Sequence, residues 1–239
     1  MNPQATTYRC WPYCRTKHIV PLNWSFYLKR RGFIEGFKDW RYRRRAAEKH
    51  GYRAMYFQDC DKRLREFVRL DPWEVSYLVW AAVRARKAIV EIGRRRGGST
   101  LVLALANRNV PIYSIDIAPK DDRRLQLILD EHEVGDNVRL LVGDSQHGEF
   151  AEIGPESFDL LFVDGDHSYD GCLADLEHWW RGLATGGSAL LHDCYQGSEV
   201  QDAADTFFEH HATRFLRATN IPAAHWLTAE GSIAHAIKT

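Results

Sequence analysis

The run "LFVDGDHSYDG" at residues 161–171 concentrates more reactive side chains than any other stretch of this 239-residue chain. Its apolar part stops at Asp164, and Asp166, His167 and Asp170 follow at once. Carboxylates are expensive to bury unless they are paired, hydrogen-bonded or bound to a cation. Three more short apolar runs end on an acid: "PIYSID" on Asp116, "NVRLLVGD" on Asp144 and "GGSALLHD" on Asp193. One such acid is ordinarily a turn residue or a helix cap. Four in corresponding places describe an acidic cleft, which disfavours a polyphosphate and tolerates a cationic ligand. Hard carboxylate oxygens suit a divalent cation such as Mg2+. A histidine beside them has the ordinary pKa of a general base near neutrality.

The elements that must position these acids follow from the apolar pattern. "AIVEIG" (88–93), 111–116, 137–144, "FDLLFVD" (158–164) and 186–193 read as five strands. Between them lie helical stretches, "GSTLVLALANR", "DDRRLQLILDEHE" and "CLADLEHWWRGL", and another helix is expected around 198–211. In "CLADLEHWWRGL" the helical spacing puts Leu173, Leu176, Trp180 and Leu183 on one face. Nearly continuous apolar strands alternating with helices predict an α/β fold, Rossmann-like and doubly wound, with a parallel sheet covered on both faces. "DPWEVSYLVWAAVRARK" predicts a helix capped by Asp71, with Glu74 three residues on as the partner of a capping box. "TRFLRAT" and "SIAHAIK" close the chain as an antiparallel pair. In such sheets ligands bind at the carboxyl ends of the strands, where the strand order reverses.

The loop "VEIGRRRGGST" after the first strand leaves several readings open. A dinucleotide fingerprint requires glycine where Arg95 stands, and a P-loop requires lysine where Ser99 stands. A third reading lets the backbone approach a nucleoside closely, with Glu91 before the loop. A fourth is a plain turn with Gly97 or Gly98 at positive φ and Ser99 as a helix cap. Asp116, 25 residues after Glu91, is suited to accept hydrogen bonds from ribose hydroxyls, and Asp144 suits an adenine amine. Arg94, Arg95 and Arg96 read as solvated charge, or else one of them meets a carboxylate of the cofactor or an anionic acceptor. Gly186 and Gly187 read as the turn into the fifth strand. Asp170 reads as support for the start of a helix, and His167 is read either as a base or as that helix's cap.

"VEIGRRRGGST", "YSID", "VGDSQ" and "FVDGDHSYDGCLADLEHWWRGLATGGSALLHDC" together resemble the class I S-adenosylmethionine-dependent methyltransferases over roughly residues 72–239. They are most similar to a bacterial group of O-methyltransferases acting on sugars, antibiotic precursors and other small hydroxylated compounds. The resemblance implies a seven-stranded sheet in the order 3-2-1-4-5-7-6 with an antiparallel last strand. It implies S-adenosyl-L-methionine held by Glu91, Gly93, Gly97, Gly98, Ser99, Asp116, Asp144, Ser145 and Asp164. It also implies a divalent metal, Mg2+, on Asp164 and Asp193 with His192 beside them. Relatives often carry an acid where this chain has His192. The ion would acidify and orient the acceptor hydroxyl, and Asp166 or His167 would take the proton. The rival reading is a methyltransferase-like module that has lost catalysis and binds an anionic partner.

The whole-chain numbers bound the rest. Net charge is zero, yet residues 1–70 hold 17 Lys/Arg and 6 Asp/Glu (+11), while 71–239 hold 15 and 26 (−11). The division predicts an aromatic, basic N-terminal extension (1–70) and a methyltransferase domain (71–239). The extension reads as a helical lid over the acceptor, as the binding surface for an anionic partner, or as a flank docked on the acidic body. Strand four ends in "DGDH", without the two prolines of amino-methylating enzymes, so a nucleic-acid substrate is not expected. The five cysteines, Cys10, Cys14, Cys60, Cys172 and Cys194, are odd in number and irregular in spacing, which argues against a disulfide framework. The spacing of Cys10, Cys14 and His18 is not that of a zinc finger. An N-terminus without an apolar signal core, and apolar runs shorter than the ~18 residues of a membrane span, predict a cytoplasmic protein. Homo-oligomerisation is left open.

Overall fold

The computed structural model describes residues 67–239 other than 71, 149, 152, 196, 212 and 217–232. The basic extension therefore lies almost wholly outside the described residues, as do the cap expected at Asp71 and the cysteines before residue 67.

Five strands run parallel: β1 (Ile89–Ile92), β2 (Ile112–Asp116), β3 (Val138–Val142), β4 (Phe158–Val163) and β5 (Leu183–Leu191). β6 (Thr213–Leu216) and β7 (Ala234–Lys238) form an antiparallel pair, and β7 is antiparallel to β5. The order across the sheet is β3-β2-β1-β4-β5-β7-β6. Chain order runs outward from β1 through β2 to β3, then jumps back to β4 on the other side. The gap between β1 and β4 is thus the switch point at which an open α/β sheet offers its crevice.

Burial follows the two-residue period of the strands. Ile89, Leu160 and Phe162 face a core shared with α1 (Pro72–Ala82), α2 (Gly98–Ala106) and α3 (Asp122–Glu131). Val90, Ile92, Leu161 and Val163 face the opposite core, shared with α4 (Tyr169–Trp180) and α5 (Glu199–His210). β4 shows this most fully: Leu160 and Phe162 are buried on one face and Leu161 and Val163 on the other, because helices cover both. α2 is the extreme case: it is buried along nearly its whole length and has no charged face. α3 is amphipathic and buries Leu125, Ile128 and Leu129.

Two local expectations are corrected. Gly186 and Gly187 lie inside β5, where the register to β4 slips between Phe158↔Leu183 and Leu160↔Ser188. Gly186 sits there at φ 81°, so the pair forms an irregularity within the strand rather than the turn before it. Leu183 accordingly opens β5, and α4 ends at Trp180.

Candidate active site

The glycine loop is shaped by close approach. Gly93 adopts φ 86°, and a Cβ on it would overlap the Asp164 carbonyl at the end of β4. The backbones at the switch point touch here, and glycine alone fits. Gly97, at φ 87°, is the residue that opens α2; Ser99 is buried inside the helix and does not cap it. Gly98 passes under residue 67, where a Cβ would stand 2.9 Å from the Phe67 carbonyl. Glu91 is fully buried beneath the loop and accepts hydrogen bonds from Thr100 Oγ1 (2.5 Å) and Ser114 Oγ (2.6 Å). Burial drives its pKa upward against those hydroxyl donors. Glu91 thus braces the loop from below.

The arginine triplet splits. Arg95 and Arg96 are exposed, whereas Arg94 is among the largest fully buried side chains. Arg94 forks onto Asp122 through Nε (2.8 Å) and Nη2 (2.7 Å). Its Nη1 donates to the carbonyls of Ser114 (2.6 Å) and Leu141 (2.7 Å). The reading of the triplet as solvated charge fails at Arg94, whose donors are also taken up within the fold rather than offered to a carboxylate of cofactor or acceptor. This side chain rivets the loop to β2, β3 and α3, using the planar donor fork that lysine lacks.

On the β2–β3 side, both Asp116 oxygens hold backbone: Oδ2 accepts from Arg95 N (2.6 Å) and Oδ1 from Ala118 N (2.7 Å). Asp116 therefore joins the end of β2 to the glycine loop. Asp144 accepts from Gln146 N (2.9 Å) and lies 3.1 Å from His147 Nδ1; the Gln146 amide foremost holds its carboxyl below the ordinary value. Ser145, expected against the cofactor, gives its hydroxyl to Asp175 on α4 (2.7 Å), while Trp179 Nε1 donates to the Ser145 carbonyl (3.0 Å). Asp175 is fully buried, and desolvation pushes its carboxyl up to about 6. Sequence reading missed it, although an aspartate one position before Leu176 on the apolar face of α4 was a visible signal.

On the β4–β5 side the structure draws four residues together. Ligand atoms of Asp164, His167, His192 and Asp193 lie within 4.8 Å of one another. His167 Nε2 is 3.2 Å from Asp164 Oδ1, and its Nδ1 is 3.4 Å from Asp193 Oδ2. His192 Nδ1 is 3.0 Å from Asp164 Oδ1 and 3.3 Å from Asp193 Oδ2. Glu74 of α1 brings a third carboxylate to the other ring nitrogen, 3.2 Å from His192 Nε2. The residue expected to complete a capping box thus faces the cluster. The His192 contacts are close enough for charge pairing but off the line of a hydrogen bond, and both nitrogens are buried. Burial opposes a proton on His192, yet Asp164, Asp193 and Glu74 outweigh it and raise its pKa well above the ordinary value. Asp164 is the converse: burial would raise its carboxyl, but His167 and His192 hold it low. His167 is raised, chiefly by its hydrogen bond with Asp164.

Asp166 stays apart from the cluster. Its Oδ1 accepts from Ser168 N (2.9 Å), and its carboxylate fills the space beside Gly171. Ser168, not His167, caps α4, accepting from Gly171 N (3.2 Å), with Asp170 in the first turn. A cleft of about 470 Å3 opens beside the cluster, lined by His167, Asp193, Tyr195, Ser198 and Glu199 among others. The crevice thus has two halves separated by Gly93 and Asp164: backbone-engaged acids over β2 and β3, and a carboxylate–imidazole cluster over β4 and β5.

The fold agrees with what the chain is similar to. Residues 90–194 match the model of a family described as a methyltransferase domain. That match, a named relative and solved methyltransferase structures together support a class I methyltransferase fold. Over 137 residues it is 28% identical to a protein of Mycobacterium sp. (strain JLS) named "Putative O-methyltransferase"; the match covers 57% of this chain and 61% of that one. The chain thus spans about three fifths of that relative's length. Among solved structures, an S-adenosylmethionine-dependent O-methyltransferase from Thermotoga maritima superimposes with a TM-score of 0.54 at 15% identity, covering 71% of this chain and 66% of that one. A Corynebacterium glutamicum protein does so with a TM-score of 0.60 at 17% identity, covering 83% and 96%. At these identities the likeness to the solved structures is one of fold. Among the described residues, no helix is long and apolar enough to cross a membrane.

Proposed function

We propose that the chain is an S-adenosylmethionine-dependent O-methyltransferase for a small hydroxylated molecule, assisted by a divalent cation. The observation that carries this reading is the split crevice. The glycine loop with Asp116 and Asp144 supplies a half suited to a nucleoside bearing a sulfonium, rich in carboxylates and free of a phosphate-binding lysine. Asp164, His192 and Asp193 supply the other half. They fit a cation on chemical grounds: carboxylates crowd buried imidazole nitrogens that lack hydrogen bonds of sound geometry. Such an ion polarises a bound hydroxyl and lowers its pKa.

The chain's own residues do the rest. His167 and Asp193 belong to both the cluster and the cleft wall, so a hydroxyl entering the cleft meets them first. Of the two residues read as the base, Asp166 is committed to the turn at the start of α4, which leaves His167 nearer the acceptor. Gly93 holds the β1 loop against the end of β4, bringing the two halves close enough for in-line transfer of a methyl group. We assign residues 1–70 to the acceptor side, since the cofactor motifs all lie after residue 88.

The test is calorimetry with S-adenosylhomocysteine, followed by transfer of labelled methyl from S-adenosylmethionine to a panel of sugars, phenols and other hydroxylated compounds, with and without EDTA. Binding of the demethylated cofactor and EDTA-sensitive labelling of a hydroxyl are expected. Absence of S-adenosylhomocysteine binding, beside a clear response to NAD, would refute the cofactor assignment. Removing residues 1–60 should spare cofactor binding and abolish labelling.

A further inference from the structure

The donor set at the end of β4 and β5 departs from magnesium's preference. Magnesium selects oxygen, keeps several waters and dehydrates reluctantly. Imidazole nitrogen instead favours zinc, iron and their neighbours in the first transition row. Sequence reading gave the ion one histidine at most, His192, and kept His167 free as a base or a cap. In the structure His167 does not cap α4, and as a ligand it would help to hold the ion rather than take the acceptor proton. It reaches over the start of α4 so that Nε2 stands 3.2 Å from Asp164 and Nδ1 3.4 Å from Asp193, while Ser168 performs the capping.

We propose that His167 is a metal ligand together with Asp164, His192 and Asp193, and that this two-histidine, two-carboxylate set takes a divalent transition-metal ion in preference to magnesium. The inference rests on the metal-assisted reading above and specifies the ion.

Three observations support it independently of the resemblance to known enzymes. The first is spacing. The nearest contacts run from 3.0 to 3.4 Å, His167 using a different ring nitrogen toward each aspartate, and one ligand atom from each of the four residues lies within 4.8 Å of the others. Ligands about 2.0–2.2 Å from a shared ion stand about 3–3.5 Å apart when adjacent and about 4–4.4 Å apart when opposite, so the four atoms need only a small closure to share one ion. The second is His192. Its Nδ1 is buried and faces Asp164 and Asp193 without a hydrogen bond of sound geometry, as a lone pair meant for an ion would be. The third is Glu74, which lies on the far side of the same ring, 3.2 Å from Nε2, and is itself buried. A carboxylate behind a histidine is the arrangement that fixes the tautomer of a metal-bound imidazole, turning the N–H outward and the lone pair toward the ion. A site meant for magnesium gains nothing from it.

The set also has an open side. His167 is half-exposed, and His167 and Asp193 line the 470 Å3 cleft. Protein ligands on one side and a cleft on the other leave coordination positions for an acceptor oxygen, as in catalytic rather than structural metal sites. An acceptor presenting two adjacent oxygens, such as a vicinal diol, a catechol or an α-hydroxy acid, would fit such positions.

The experiment measures the ion itself. The full-length chain, stripped with chelator and dialysed, is titrated with Co2+ while its visible absorption is followed, and with Mg2+ by calorimetry. His167→Ala, His192→Ala and Glu74→Gln are treated in the same way. S-adenosylhomocysteine binding is recorded on every variant as a check of folding and of the cofactor reading. We expect one Co2+ per chain with a ligand-field band, bound at least about tenfold more tightly than Mg2+. His167→Ala and His192→Ala should each weaken Co2+ by about 10–100-fold, and Glu74→Gln by about tenfold. His167→Ala should leave Mg2+ unchanged. If Mg2+ binds as tightly as Co2+, or if His167→Ala leaves Co2+ unaffected, the inference is overturned while the metal-assisted reading stands. If neither ion binds a chain that still binds S-adenosylhomocysteine, the metal site itself is refuted and the cofactor half survives.

Discussion

Three consecutive arginines with one structural member give a sharp test of the packing argument. Arg94→Met removes a fork that makes two hydrogen bonds to Asp122 and two to the main-chain carbonyls of Ser114 and Leu141. The Arg94 side chain is wholly buried, and Asp122 is 31% exposed. Because water reaches Asp122, the freed carboxylate is partly rehydrated, and the Ser114 and Leu141 carbonyls, which lie within the paired strands β2 and β3, each lose a second, charge-assisted hydrogen bond rather than their only one. A hydrogen bond to a charged group contributes about 1.5–3 kcal/mol, and breaking a buried ion pair by removing one partner costs about 3–5 kcal/mol. A total loss of about 3–5 kcal/mol is expected, with methionine refilling part of the volume. For a chain of this size that lowers the melting temperature by roughly 10 °C. Arg94→Lys should fall between, since it keeps the charge without the fork. Arg95→Ala and Arg96→Ala, both at exposed positions, should stay within about 0.5 kcal/mol of the parent. Urea unfolding followed by circular dichroism reads all four. If Arg94→Met costs less than about 1 kcal/mol, or if the three alanine and methionine variants cannot be told apart, the riveting role is wrong.

Two further predictions concern other parts of the fold. His235 on β7 is buried between Tyr77 Oη (2.6 Å) and Ser188 Oγ (2.9 Å), and desolvation lowers its pKa to about 4. Its folded pKa lies below the unfolded value of about 6.5, so the unfolded chain takes the proton first. Stability is lost as pH falls from about 6.5 to 4, at about 1.4 kcal/mol per unit and about 3 kcal/mol in all. Asp175, raised to about 6, acts in the opposite direction over part of that range. The quantity to measure is therefore the difference in urea stability between the parent and His235→Gln, which should shrink by about 3 kcal/mol from pH 8 to pH 4; a difference that does not vary with pH refutes the argument. Gly93→Ala and Gly186→Ala isolate the close approach at the switch point. Both residues have positive φ, but a Cβ meets the Asp164 backbone at Gly93 and nothing at Gly186. Gly186→Ala should cost only about 1 kcal/mol of backbone strain and keep S-adenosylhomocysteine binding, whereas Gly93→Ala should cost more than about 3 kcal/mol or abolish binding. Equal effects in melting and calorimetry would remove the special role of Gly93.

The sequence by itself determined the alternation of strands and helices and the acids at the strand ends. Both are local properties: strands buried on both faces read as apolar runs, and the residue that ends such a run must be polar. The pattern therefore carried Asp116, Asp144, Asp164 and Asp193 to one edge of the sheet before any contact was known. The proximity of His192 to Asp193 was equally legible, being a matter of adjacency. Partner choice was decided only by the tertiary structure. Nothing local separates Arg94 from Arg95 and Arg96; the carbonyls that hold Arg94 belong to β2 and β3, 20 and 47 residues away. Glu74 matched a capping box by spacing, yet α1 packs so that its carboxylate meets His192 across the sheet edge. Asp175 and Ser145, 30 residues apart, find each other because α4 lies against the β3 end of the crevice. His167 joins the cluster because Ser168 caps α4 in its place, leaving the imidazole to turn toward Asp164 and Asp193. Periodicity and turn chemistry act over a few residues, whereas burial and the pairing of charges are set by which elements the fold brings together.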